Sequence, residues 1–167
     1  MHGMWQITLK ENDIVAGLKA SDFKEALAKL LEMIPHWRLS PKMKRDVFQL
    51  LVDRECVGTT AIGGGMALPH CFSEDVHEPM VMLGVSPDGI VCPSLDGHPV
   101  YFIFMLLLPK DDQAEMRKRS MLQNVKWMLS DRSLQDELRF ARSSADIYDC
   151  LAGRIGLPPR ESVVFGH

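Results

Sequence analysis

Residues 54 to 70 read Arg-Glu-Cys-Val-Gly-Thr-Thr-Ala-Ile-Gly-Gly-Gly-Met-Ala-Leu-Pro-His. Their types and spacing suit group transfer. Gly58, Gly63, Gly64 and Gly65 admit positive φ and close backbone approach, so several N–H groups can turn toward one point. Thr59 and Thr60 add hydroxyl donors, and Arg54 adds an always-charged planar fork that matches phosphate oxygens. Pro69 fixes the backbone entering His70 and holds Leu68 out of helical geometry. The chemistry implied is an anion site with a nucleophile at its rim: a phosphoryl group and a ring nitrogen of His70. An imidazole with an ordinary pKa near 6.5 is largely neutral at pH 7 and offers a lone pair. In a loose transition state charge sits on the equatorial oxygens, where the amides of Gly63, Gly64 and Gly65, Thr59, Thr60 and Arg54 would meet it. One donor of this kind is worth roughly 2.7–4 kcal/mol.

Each part alone has a plainer reading. A glycine-rich loop is more often a turn than a phosphate cradle, and without a Gly-Lys-Ser/Thr ending this one is not a nucleotide P-loop. An arginine at a helix end often only snorkels. His70, Cys71 and His77 lie close in sequence but match no strong zinc spacing, so no metal site is expected. Cys71 as partner nucleophile is disfavoured, because neighbours in an extended segment point to opposite sides. It reads as a small packing residue. His98 sits in an Asp-Gly turn, and His2, His36 and His167 carry no local constellation.

The elements that would position these residues follow from periodicity. Residues 5 to 9 alternate and read as a short strand. Phe23, Ala26, Leu27, Leu30, Leu31 and Ile34 have helical spacing, with Ser21 or Asp22 as cap and a stop near Pro35. Ser40-Pro41 starts a second helix with Met43, Val47, Leu50 and Leu51 as its buried stripe, which Arg54 extends into the loop. Met80 to Val85 reads as a buried strand, Ser86 to Gly89 as a turn and Ile90 to Cys92 as another short strand. After a turn at residues 95 to 98, Val100 to Leu108 reads as a central strand stopped at Pro109. Ala114, Met121, Leu122, Val125, Met128 and Leu129 mark a long helix. Two short ones follow at about 133–141 and 144–151, the second capped by Ser143 or Ser144, and then an irregular tail. Helices flanking strands imply a sheet covered by helices, α/β or α+β on pattern alone.

The 167 residues are 46% apolar and 25% charged with net charge −3, an ordinary globular composition without a basic face for nucleic acid. The longest apolar run, Val100 to Leu108, is too short to insert in a membrane as a helix. Four cysteines without CxxC spacing fit reduced thiols in a cytoplasm. The expectation is one domain over residues 1–167, with a core of about 7–151 and an irregular tail at 152–167.

The Arg54-to-His70 stretch resembles the signature of type-2 enzyme IIA domains of the bacterial phosphotransferase system. This is the fructose/mannitol group, which includes the nitrogen-regulatory IIA proteins. Its pattern is roughly Arg-Glu-x-x-Gly-Ser-Thr-Gly-Ile-Gly-Asn-Gly-x-Ala-Ile-Pro-His, and the similarity extends loosely from about residue 7 to about residue 151. Thr59 keeps the hydroxyl of the usual serine, Gly64 replaces a usual asparagine, and Ala61 replaces a usual glycine. If position 61 needs positive φ, alanine strains the loop by up to roughly 1–2 kcal/mol.

The resemblance implies a three-layer α/β/α fold with a mixed sheet. It implies that His70 accepts a phosphoryl group from an HPr-type phosphocarrier and passes it to a IIB cysteine or holds it as a regulatory mark. No cofactor is implied, because the donor arrives already phosphorylated. The family usually carries a second active-site histidine where alignment places Lys118, flanked by Arg117 and Arg119. Lys118 lies three before Met121 and four before Leu122, which puts it on their inward face within reach of the loop; the alternative is a slipped register in which it is a solvated lysine of a basic cluster. The length leaves no room for IIB or membrane IIC domains, which favours the nitrogen-regulatory branch. The alternative is a degenerate IIA-like protein that docks to a regulated target with little onward transfer.

Overall fold

The computed structural model describes residues 9–155. The strand read at residues 5 to 9 lies outside them except for Leu9, which is buried and not in a strand. A single 3-10 turn, Glu11–Asp13, leads into β1 (Ile14–Val15). Then come α1 (Phe23–Glu32), α2 (Pro41–Val57), β2 (Ala61–Gly63), β3 (Met66–Ala67), β4 (His70–Ser73), β5 (Met80–Ile90), β6 (Val100–Pro109), α3 (Ala114–Leu129), α4 (Arg132–Arg139) and α5 (Ser144–Ile155).

The caps explain the helix starts. Asp22 accepts from the Glu25 amide at 2.8 Å, and Ser40 accepts from the Met43 amide at 3.3 Å, with Pro41 opening α2. The Asp131 carboxylate receives two amides of α4, and the Ser143 hydroxyl receives the Asp146 amide. α5 runs through residues 152–155, which the sequence reading assigned to the irregular tail. Arg154 ties this last turn to Asp131 and Glu137, so a glycine at 153 does not end the helix.

The sheet is mixed, in the order β1-β5-β6-β3-β2, with β4 also paired to β6. β5 and β6 are antiparallel, while β1 on β5 and both β3 and β4 on β6 are parallel. β6 is flanked on both sides, which suits its near-continuous apolar run. From Phe102 onward its side chains alternate between two halves of the core. Val100, Ile103, Met105 and Leu107 pack beneath α1 and α2, and Phe102, Phe104, Leu106 and Leu108 pack beneath α3, α4 and α5. The architecture is three-layered, α/β/α. Each fully buried side chain of this size contributes about 1.5–3 kcal/mol.

Three details differ from the sequence reading. Residues 86 to 90 continue β5 through a register shift instead of forming a turn and a separate strand; Ile90 pairs with Val100. Leu50 is 39% exposed, leaving Val47 and Leu51 as the buried stripe of α2. Ala61 lies in β2, and no non-glycine residue among those described has positive φ, so alanine strains nothing there.

Gly84 on β5 lets α1 approach the sheet. A Cβ there would meet Leu18 Cδ2 at 2.6 Å and Leu30 Cδ2 at 3.1 Å, both in the packed core. Gly84→Ala therefore destabilises the fold by about 1–3 kcal/mol through overpacking. The expected result is a lower urea midpoint with an unchanged slope.

Candidate functional site

The sheet is interrupted at Leu68-Pro69, and the interruption makes the site. β3 pairs Met66 with Phe102 and β4 pairs His70 with Leu106, so the two strands run end to end beside β6. Proline has no N–H for a ladder, though its carbonyl accepts from the Leu106 amide at 2.9 Å. The Leu68 amide donates to Thr60 at 3.0 Å. The Leu68 carbonyl is 2.8 Å from Nδ1 of His70. A carbonyl only accepts, so this contact places the hydrogen on Nδ1 and leaves the lone pair on Nε2.

His70 is 7% exposed. Alternation along β4 puts Cys71 in the core beneath α1 and α2, and puts His70 with Phe72 toward the α3 layer. Burial raises the Cys71 thiol to about 12, so it stays protonated and faces away from the imidazole. Burial also lowers the pKa of His70 below its ordinary 6.5. The Leu68 hydrogen bond opposes this, the charges of Arg54 and Lys118 lower it further, and Glu115 raises it.

The two cations act on His70 from different layers. Arg54 sits half-buried in the last turn of α2, where Nη1 donates to the Gly58 carbonyl at 2.9 Å. Lys118 lies just over one turn into α3, 5.8 Å from the centre of the Phe72 ring. Its Nζ is 2.7 Å from the Glu115 carboxylate. Lys118 therefore stands beside the face of β4 that carries His70.

The threonines and glycines are placed differently from the expected cradle. Thr59 donates its hydroxyl to the Pro93 carbonyl at 2.7 Å and accepts the Ala61 amide at 3.0 Å. Thr60 gives both its amide (2.8 Å) and its hydroxyl (2.6 Å) to the Glu55 carboxylate. Gly63, Gly64 and Gly65 all have positive φ and turn the chain from β2 to β3. Met66 and His70 face β6 partners four residues apart, so this turn stands roughly 13 Å or more from His70 at about 3.3 Å per residue. The Gly64 amide donates to Asp96 at 2.9 Å. The Thr59 hydroxyl, both Thr60 donors and the Gly64 amide thus each have an anion or a carbonyl supplied from within the chain.

Sequence reasoning missed these internal acceptors. Glu55 was visible beside Arg54 in the signature itself. Asp96, on a turn more than thirty residues away in sequence, gave no signal. His77 and His98 are exposed.

The chain matches the family model described as "Phosphoenolpyruvate-dependent sugar phosphotransferase system, EIIA 2" over residues 7–153. The nitrogen regulatory protein of Bradyrhizobium diazoefficiens is 33% identical over 146 residues, 87% of this chain and 90% of that protein. The nitrogen regulatory protein of Escherichia coli K12 is 31% identical over 113 residues, 67% of this chain and 68% of that protein. Among solved structures, nitrogen regulatory protein IIA-Ntr of Neisseria meningitidis superposes with a TM-score of 0.74 at 23% identity, covering 85% of this chain and 94% of that one. Escherichia coli mannitol enzyme IIA, solved in complex with phosphorylated enzyme IIB, gives 0.71 at 20% identity, covering 88% and 99%. At these identities the two structures share the fold.

The depressed pKa fixes a pH dependence. The stability that His70 contributes by staying neutral is fully present above its ordinary 6.5 and is lost as pH falls from there toward the folded-state value. Nitrogen-detected NMR titration should give a midpoint below 6.5 with the hydrogen on Nδ1 before protonation. A midpoint above 6.5 contradicts the geometry.

Proposed function

The chain belongs to the phosphotransferase-system EIIA type-2 family, and from that premise we propose that Nε2 of His70 accepts a phosphoryl group from an HPr-type phosphocarrier, in a nitrogen-regulatory role. The observation that carries this reading is the Nδ1 contact with Leu68, which leaves Nε2 as the one nucleophilic ring nitrogen. In the transfer, the Nε2–P bond forms as the N–P bond of the donor's phosphohistidine breaks. The donor ring, protonated on its other nitrogen, leaves as neutral imidazole. The ring of His70 takes up the positive charge, with Nδ1–H held on the Leu68 carbonyl. No net proton moves, and neither a metal nor a nucleotide is needed.

Arg54 and Lys118 would meet the oxygens of the phosphoryl group, since their charges already act on His70. Thr59, Thr60, Gly63, Gly64 and Gly65 would hold the loop's shape through their internal partners. The regulatory role is supported by the nitrogen regulatory proteins to which the chain aligns. The onward partner would be a IIB domain or a regulated target protein. No described helix is long and apolar enough to cross a membrane, and the relay would run in the cytoplasm.

A second reading, a protein that holds its phosphoryl group or docks to a target without passing it on, draws support from Lys118. An ammonium cannot orient His70 as a neutral imidazole would, but it stabilises a phosphoryl dianion beside it.

Incubation with enzyme I, phosphoenolpyruvate and the host's carrier, followed by intact-mass measurement, tests the acceptor. The expected result is one acid-labile, alkali-stable phosphoryl adduct, absent in a folded His70→Ala variant. An adduct on Cys71 or a threonine overturns the assignment. Arg54→Ala should slow acceptance by roughly 100-fold, with Arg54→Lys in between because it keeps charge but loses the fork.

The same assay followed over time tests Lys118. Lys118→Ala should shorten the lifetime of the phosphorylated form, and Lys118→His should speed exchange with the carrier. Identical lifetimes and exchange rates in all three proteins place the residue outside the chemistry.

A further inference from the structure

Lys118 already has an anion. Its Nζ is 2.7 Å from Glu115 Oε2, one turn earlier on α3. The charged groups acting on His70 are Arg54 from α2 and Lys118 and Glu115 from α3. Arg119 adds its charge at Glu115. Glu115 is held ionised, its pKa below the ordinary carboxylate value mainly through the hydrogen bond and charge of Lys118.

The two partners differ in freedom. The Lys118 side chain is 25% exposed and lies beside the Phe72 ring, whereas that of Glu115 is 71% exposed. A phosphoryl group on Nε2 brings a charge of about −1.5 to −2 into this cluster. It attracts Lys118 and repels Glu115, and Glu115 is the partner with room to swing into water. We infer that Glu115 is a resident counter-anion of Lys118 that the phosphoryl group must displace, so that residue 115 sets how far phosphoryl exchange lies toward the phosphorylated form. The inference rests on His70 being the acceptor. Glu115 acts through Lys118 and is a positioning residue, not a catalytic one.

The test uses the full chain with Glu115→Gln, Glu115→Asp, Lys118→Ala and the double variant Glu115→Gln/Lys118→Ala, with two readouts. The first is the exchange equilibrium with the phosphorylated carrier. Glu115→Gln should shift it toward the phosphorylated form by about two- to fivefold at low salt, the range of an exposed ion pair. The gain should shrink as salt rises. Glu115→Asp should stay near wild type. In the Lys118→Ala background the gain should be much smaller, because there is no cation left to compete for.

The second readout is the NMR titration of His70 in the unphosphorylated protein. Glu115→Gln should lower its midpoint, which requires no phosphoryl transfer. An unchanged exchange equilibrium, or an equal gain with and without Lys118, overturns the competition. A wild-type chain that takes up no phosphoryl group, while the titration shift appears, overturns the acceptor reading and the inference with it.

Discussion

The contact between Nδ1 of His70 and the Leu68 carbonyl is the constraint on which the site depends. It decides which ring nitrogen is free, and it exists because the strand beside β6 is broken at Pro69. An unbroken strand would direct the backbone groups of residues 68 to 70 into ladders and leave the ring to find another partner. The break is affordable because β6 is anchored on its other side by β5 across almost its whole length. A fully paired central strand tolerates one neighbour that pairs in two short pieces.

Around that fixed ring the electrostatics come from two layers. α2 lies over one face of the sheet and ends at Arg54, and α3 lies over the other and presents Lys118. Two cations beside a buried imidazole disfavour its protonation and favour an anion attached to it. The same arrangement that keeps the imidazole neutral would, under the proposed function, suit a phosphorylated ring. The donors nearest in sequence, the Thr59 hydroxyl, the Thr60 amide and hydroxyl and the Gly64 amide, instead spend their hydrogen bonds within the chain. Glu55 receives those of Thr60, Asp96 that of Gly64 and the Pro93 carbonyl that of Thr59, and together they tie the loop to the rest of the chain.

How much of this was legible in the sequence follows the range of the interactions. Asp22, Ser40, Asp131 and Ser143 cap helices through groups two or three residues away, and local spacing revealed most of those helix starts. β6 was legible because a strand buried on both faces is apolar throughout. β2, β3 and β4 were not, since two to four residues carry no periodicity. Arg54 and His70 were read from the family signature and Lys118 from a count along the family's later helix, where helical spacing put it on an inward face. The destination of the threonine and glycine donors was illegible. A donor's type says what it can bind, while its partner is chosen by tertiary packing, as Asp96 chooses Gly64. The helical reach of α5 to residue 155 rests likewise on ion pairs between Arg154 and residues of α4 and its cap.

The placement of Arg54 and Lys118 on opposite layers has a consequence for how the protein matures. Neither helix alone makes the site, since the two charges that act on His70 come from both layers. In a partly folded chain with one layer docked, the ring would be wetter and would feel one cation at most. Under the proposed function, competence to accept a phosphoryl group would therefore require both layers in place. Under that function, a nascent or damaged chain would then stay unmodified, and a modified chain would report an intact fold.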